Sequence, residues 1–332
     1  MGGAPSARRG AARGGPGWSR VAERGSLWGL RVTVFCYRVL GRRASLALVH
    51  LVVGYFFLTD RAGRRASRAF LRRVWARPEG RLALGRPPGT WTSFLHYRSF
   101  ALSIVDRLAI WFGRTADFGY EVHGSEHFDR LAAEGRGALV LGAHLGSFDA
   151  LRLLAERRRA VVNVLMFTRH APLINRIFRE LAPGAEARVI HADPGSVQSV
   201  FAIRRCIERG ELVAILGDRV EPADRHRTSA VPFLGGTVEL PQAPFLLAGL
   251  LRCPVMLVLA LRRGPGRYEV FVEELAPEVR VPRRGRGKVA AELLAAYAGR
   301  LEAHLLRAPL QWYNFFDYWG DAEPAPRGRG AG

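Results

Sequence analysis

From about Phe118 onward, apolar runs of strand length alternate with stretches of helical apolar spacing, and this alternation limits the fold more than any other feature. The runs cover 137–141 (GALVL), 160–166 (AVVNVLM), 188–191, 212–216 (LVAIL), 254–261 (PVMLVLAL) and 268–272. Between them lie helical stripes. Leu173, Ile174, Ile177, Phe178 and Leu181 form one, opened by Pro172 at a first-turn position. Val200, Ile203 and Ile207 form a second, closed by Gly210. Ala290, Leu293, Leu294, Tyr297, Leu301 and Leu305 form a third. Strand and helix in alternation mean an α/β domain with a mainly parallel central sheet flanked by helices. In such sheets the ligand crevice lies beyond the carboxyl ends of the strands. This domain is expected over residues 116–320. A hydrophobic fraction of 48% is enough to fill its core.

The preceding residues read differently. Residues 62–76 and 91–112 have helical spacing, separated by a turn at Pro87-Pro88-Gly89. The formal net charge is +21, and +15 of it falls in residues 1–87, where 18 arginines face only Glu23, Asp60 and Glu79. Such asymmetry points to a polyanionic partner, either nucleic acid or an anionic membrane. One apolar run of 16 residues, 44–59 (ASLALVHLVVGYFFLT), sits inside this basic half. As a helix it reaches about 24 Å, short of a hydrocarbon core of about 30 Å. Arginines flank it on both sides, at Arg42 and Arg43 and at Arg61, Arg64, Arg65 and Arg68. The pattern suits a segment lying in one leaflet; a buried core helix and a short span are the alternatives. The upstream patch 28–40 (WGLRVTVFCYRVL) is its candidate companion. The expected organisation is a disordered basic arm at 1–24, a membrane-associated helical segment at 25–115, the α/β domain, and a disordered tail at 321–332. Cys36, Cys206 and Cys253 lie far apart, which excludes a disulfide scaffold and fits a reducing compartment.

The sharpest chemical candidate follows the first strong strand, in Leu141-Gly142-Ala143-His144-Leu145-Gly146-Ser147-Phe148-Asp149. His144 falls at the carboxyl end of the strand. Asp149 follows five residues later, on the expected first helical turn. A loop that folds back brings this carboxylate to the imidazole, fixing its tautomer while His144 removes a proton. The helix start also offers backbone N–H groups near Gly146 and Ser147 to a developing oxyanion. A helix-capping Asp149 beside an incidental histidine fits the same residues. There is no GxSxG elbow for Ser147 and no GxGxxG turn. His123 and His127 stand four apart without a clear third metal ligand.

In context, the segment resembles the HX4(D/E) block of the lysophospholipid acyltransferase-like superfamily, above all the lipid A biosynthesis acyltransferases of the lauroyl/myristoyl transferase type and related predicted acyltransferases. Three further blocks carry the resemblance in order. Residues 166–178 (MFTRHAPLINRIF) match a strand ending near an arginine and then an asparagine, here Arg169 and Asn175. Residues 216–255 match an Asp after a strand, here Asp218, then a V-P-F-x-G turn, here Val231, Pro232, Phe233 and Gly235. Pro309-Leu310-Gln311-Trp312 matches a closing P-x-Q-W. Past it the chain reads YNFFDYWG where the lipid A enzymes carry a basic ending, which is closer to the predicted-acyltransferase branch.

The resemblance implies an O-acyltransferase. It would move a fatty acyl chain from a thioester of acyl carrier protein or coenzyme A to a hydroxyl of a lipid or glycolipid. His144 is then the base and Asp149 its partner. Arg169 would neutralise a phosphate of donor or acceptor, with Asn175, Asp218, Arg219 and Gly235 as further substrate-binding positions. For Arg169, Asp218 and Arg219 a purely structural role is the alternative, and for Gly235 a tight turn. No metal or resident cofactor is implied. The expected place is the cytoplasmic face of the inner membrane, with anionic lipid rather than nucleic acid as partner. Nucleic-acid binding would need a recognition motif that the chain lacks. An inactive lipid-binding member of the same fold is a further alternative.

Overall fold

A computed structural model describes residues 48–150, 154–155, 158, 160–167, 189–192, 196–220, 226–280 and 285–320. The expected basic arm, the patch at 28–40, the stripe at 173–181 and the tail at 321–332 lie outside these residues. The strands are β1 (Gly119–His123), β2 (Ala138–Gly142), β3 (Val162–Phe167), β4 (Val189–Ala192), β5 (Leu212–Leu216), β6 (Thr228–Phe233), β7 (Gly236–Pro241), β8 (Val255–Gly264) and β9 (Arg267–Ala276). Seven of them form one sheet in the order β1-β9-β8-β2-β5-β3-β4, and β6 and β7 form a separate hairpin. Strands β8, β2, β5, β3 and β4 run parallel. Strand β9 returns antiparallel on β8, and β1 pairs parallel with β9, so the sheet is mixed but mostly parallel.

Strand β2 is buried along its whole length, as a central strand covered on both faces must be. Its side chains alternate between two cores. Leu139 and Leu141 join one, with helix α8 (Arg286–Arg307); Ala138 and Val140 join the other, with helix α4 (Thr90–Trp111). The third helical stripe read from the sequence lies in α8, where Ala290, Leu294, Tyr297, Leu301 and Leu305 are buried.

Ahead of α4 come a helix over residues 48–59 (α1), α2 (Arg61–Ala76) and α3 (Pro78–Leu84); between α4 and α8 come α5 (Glu126–Ala133), α6 (Val197–Glu208) and α7 (Ala243–Leu251). Val49, Val53 and Phe57 of α1 are buried at helical spacing, while Leu51, Tyr55 and Leu58 face outward. One face of the apolar run is thus core. Among the described residues no helix is long and apolar enough to cross a membrane. Asp60 makes the corner between α1 and α2. Its Oδ1 accepts from the Gly63 N–H at 2.8 Å, capping α2, and its Oδ2 accepts from the Tyr97 hydroxyl of α4 at 2.8 Å.

Candidate active site

The site grows from the register of two neighbouring strands. Gly142, the last residue of β2, pairs with Leu216, the last residue of β5. Each chain then runs two residues further, to His144 and to Asp218. The two side chains therefore leave the sheet side by side. His144 Nδ1 lies 2.8 Å from Asp218 Oδ1, and the His144 backbone N–H donates to Asp218 Oδ2 at 2.9 Å. The loop base is tied by the Gly217 N–H, at 3.0 Å, and the Tyr297 hydroxyl of α8, at 2.9 Å, both donating to the Gly142 carbonyl.

Asp218 is fully buried. Burial alone would raise its pKa, but the imidazole and N–H of His144 and the Arg219 guanidinium hold the carboxyl below the usual carboxylate range. An ionised carboxylate only accepts, so Nδ1 of His144 carries the proton and Nε2 keeps its lone pair. Burial lowers the His144 pKa, partly offset by Asp218, with Arg219 and Arg107 acting in the same direction as burial. The imidazole is thus neutral at pH 7, in the tautomer that a general base on Nε2 requires.

This geometry corrects two expectations. Asp149 does not meet the imidazole. Its Oδ2 takes the Arg107 Nε at 2.5 Å and its Oδ1 takes the Trp111 Nε1 at 2.8 Å, both from the last turns of α4. The carboxylate on His144 comes instead from Asp218, for which the resemblance implies a substrate-binding role. Nor are Gly146 and Ser147 open to an oxyanion. Their N–H groups donate to the Gln311 carbonyl at 2.9 Å and the Ala260 carbonyl at 2.8 Å. Gly146 sits at φ +73°, and a Cβ there would lie 2.0 Å from the Ala260 oxygen, so a glycine lets this loop press onto β8.

The closing segment supplies what sequence reading missed. Gln311 clamps the backbone of Arg262, with Oε1 accepting from its N–H at 2.7 Å and Nε2 donating to its carbonyl at 2.8 Å. Trp312 is fully buried and bridges to Leu145. The Tyr313 N–H donates to the His144 carbonyl at 2.7 Å. Asn314 Nδ2 donates to Asp218 Oδ2 at 3.0 Å, and the Tyr318 hydroxyl to the Asp218 carbonyl at 2.6 Å. Arg219 donates from Nε to Asn314 Oδ1 at 2.7 Å and from Nη2 to the Tyr313 carbonyl at 3.0 Å. The aromatic run after P-x-Q-W was the only signal, and it did not say which polar residue among the rings would face the site.

Gly235 lies in the two-residue turn of the β6–β7 hairpin, where Leu234 (φ 47°) and Gly235 (φ 72°) are both left-handed. Arg169 and Asn175 fall outside the described residues. His123 is held by Glu269 at 3.0 Å and stacked on Phe271, and among the described residues no cluster of three His, Cys, Asp or Glu is placed to hold a metal.

A family model described as bacterial lipid A biosynthesis acyltransferase matches residues 95–320. The chain belongs to that family. The matched stretch runs from α4 to the end of the closing segment, so it contains His144, Asp149, Asp218, Arg219 and Asn314. The family makes this protein an acyltransferase of lipid biosynthesis, with an acyl donor and a lipid acceptor as substrates. A search of the curated proteins found no match.

Proposed function

We propose that this lipid A acyltransferase family member moves a fatty acyl chain from a thioester, of acyl carrier protein or coenzyme A, to a hydroxyl of a lipid or glycolipid. His144 is the general base and Asp218 its brace. The observation that carries this reading is the 2.8 Å contact between His144 Nδ1 and Asp218 Oδ1, at the strand ends where an α/β sheet keeps its ligands. Nε2 takes the proton of the acceptor hydroxyl as its oxygen attacks the thioester carbonyl. The tetrahedral intermediate expels the thiolate, which recovers that proton from the imidazolium. Ester and thiol are the products. The thioester is a co-substrate, and the reading invokes no metal or resident cofactor.

The developing oxyanion needs positive charge, and the loop N–H groups are already engaged. Arg107 is the proposed source, because it lies near enough to bear on the His144 charge and Asp149 fixes its Nε. Asp149 thereby keeps a role in the reaction, on the guanidinium rather than the imidazole. Arg169 and Asn175 are proposed to bind substrate on the strength of the sequence resemblance.

An anionic leaflet, on the cytoplasmic face of the inner membrane, is the proposed seat. Leu51, Tyr55 and Leu58 on the outer face of α1, together with Trp91, are exposed, and so are Arg61, Arg65 and Arg68 on the following helix. Apolar side chains entering the interface and arginines on phosphates, each worth roughly 1 kcal/mol, favour such binding.

The test is mass spectrometry of lipids from cells with and without the gene, and from cells carrying His144→Ala. A lipid differing by one acyl mass, absent in the deletion and in the folded variant, is the expected result. Wild-type levels of that lipid in the His144→Ala strain overturn the assignment. Flotation with anionic liposomes, set against salt-sensitive binding to DNA, tests the membrane partner.

A further inference from the structure

We propose that Asn314 is a positioning residue, which sets the Asp218 carboxylate and through it the tautomer and pKa of His144. This rests on reading His144 as the base. Asn314 is almost fully buried, and its amide has one possible orientation. The Arg219 guanidinium only donates, so the amide oxygen faces Arg219 Nε at 2.7 Å. The Asp218 carboxylate only accepts, so the amide nitrogen faces Oδ2 at 3.0 Å. The amide therefore joins a fixed cation to a buried anion in the order Arg219, Asn314, Asp218, His144.

The same short segment holds the other side of the base, because the Tyr313 N–H donates to the His144 carbonyl while Arg219 Nη2 donates to the Tyr313 carbonyl. Two consecutive residues thus fix His144, one through its backbone and one through its carboxylate. Among the described residues, the donors on Asp218 Oδ2 are the His144 N–H itself and Asn314. Asn314 is, among the described residues, the one hydrogen-bond donor outside the His144 loop that holds the plane of the carboxylate at its oxygens. Among the described residues, the groups bearing on this pair are Arg219 after β5, Arg107 from α4, Tyr297 from α8, and Tyr318 from the closing segment.

Two variants separate positioning from plain packing. Asn314→Asp keeps the shape but replaces the donor with a second carboxylate, whose negative charge raises the His144 pKa. Asn314→Ala removes the donor and frees the carboxylate to turn. The readout is the ring nitrogen signals of His144 in full-length protein labelled at histidine, assigned by loss of the signal in His144→Gln. In wild type the proton sits on Nδ1. Expected are a higher His144 pKa in Asn314→Asp and a mixture of ring tautomers in Asn314→Ala. If both folded variants keep the wild-type tautomer and titration, while Asp218→Asn alters them, the proposal is overturned. Should Asn314→Ala fail to fold, the isosteric Asn314→Asp carries the test by itself. With lauroyl-coenzyme A as the thioester probe, kcat should fall about 10–100-fold in Asn314→Ala with KM unchanged. A wild type inert toward every thioester would sink the proposed function but leave the ring measurement to decide this one.

Discussion

His144 and Asp218 stand 74 residues apart in the chain, yet their Nδ1 and Oδ1 atoms are 2.8 Å apart. Adjacent parallel strands ending in register bring them there, and no local turn is involved. Five residues from His144, Asp149 binds Arg107 and Trp111 instead.

The two carboxylates should therefore fail differently. Asp218→Asn puts an amide against Nδ1 and disturbs the tautomer, so kcat should drop by about 10³–10⁴-fold, as when a Ser-His-Asp triad loses its carboxylate. Asp149→Asn removes a charge from Arg107 and should leave the acid limb of the rate profile in place. Rate profiles of both variants decide the matter. A larger loss and a shifted limb in Asp149→Asn would reverse the assignment.

Burial lowers the pKa of His144, so its base form persists below pH 6.5, the ordinary histidine value. The rate should climb with pH through an acid limb centred below 6.5, then stay level across neutrality. Measuring kcat/KM between pH 4.5 and 8 checks it, and a midpoint above 6.5 contradicts it.

His96 gives a prediction about stability. It is fully buried, its Nε2 donates to the Trp312 carbonyl at 2.8 Å, and its Nδ1 accepts from Ser67 at 3.0 Å, which in turn accepts from Ser93 at 2.9 Å. Burial lowers its pKa to about 4, against 6.5 in the unfolded chain. The unfolded state then binds more protons below 6.5, so stability is full above 6.5 and is lost as pH falls toward 4. The loss is on the order of 3 kcal/mol. Denaturant titrations at pH 7 and pH 4 measure it. In His96→Phe the pH dependence should shrink but not vanish, since His144 acts in the same direction.

Two glycines with the same backbone conformation should respond unequally. Gly146 and Gly235 have φ of 73° and 72°. A Cβ at Gly235 meets open space, so Gly235→Ala should cost about 1–2 kcal/mol, the penalty of the left-handed conformation. At Gly146 the same Cβ runs into the Ala260 carbonyl, so the loop carrying His144 must move. Gly146→Ala should be clearly the more destabilised in denaturation and should lose transfer activity as well. Equal midpoints for the two variants would contradict this.

The strands read from the sequence agree with the structure for a simple reason. Runs such as LVLG and LVAIL are buried on both faces, so every residue is apolar and the pattern is continuous. β1 escaped because GYEVH alternates half-buried with exposed positions over only five residues. The β6–β7 hairpin carries Pro232 and Pro241, which mask its strand pattern, and only its tight turn at Gly235 showed. The apolar run at 44–59 was visible as such; the sequence alone did not show that Val49, Val53 and Phe57 are core while Leu51, Tyr55 and Leu58 are surface.

The chain by itself determined the alternation of strand and helix, and it placed a histidine at a strand's carboxyl end. Both are local properties, written in hydrophobic period and in distance along the chain. Only the tertiary structure decided which acid meets that histidine and which amide braces the acid. Those choices depend on which strands become neighbours and in what register, so residues 144, 218 and 314 share a site that no local spacing encodes.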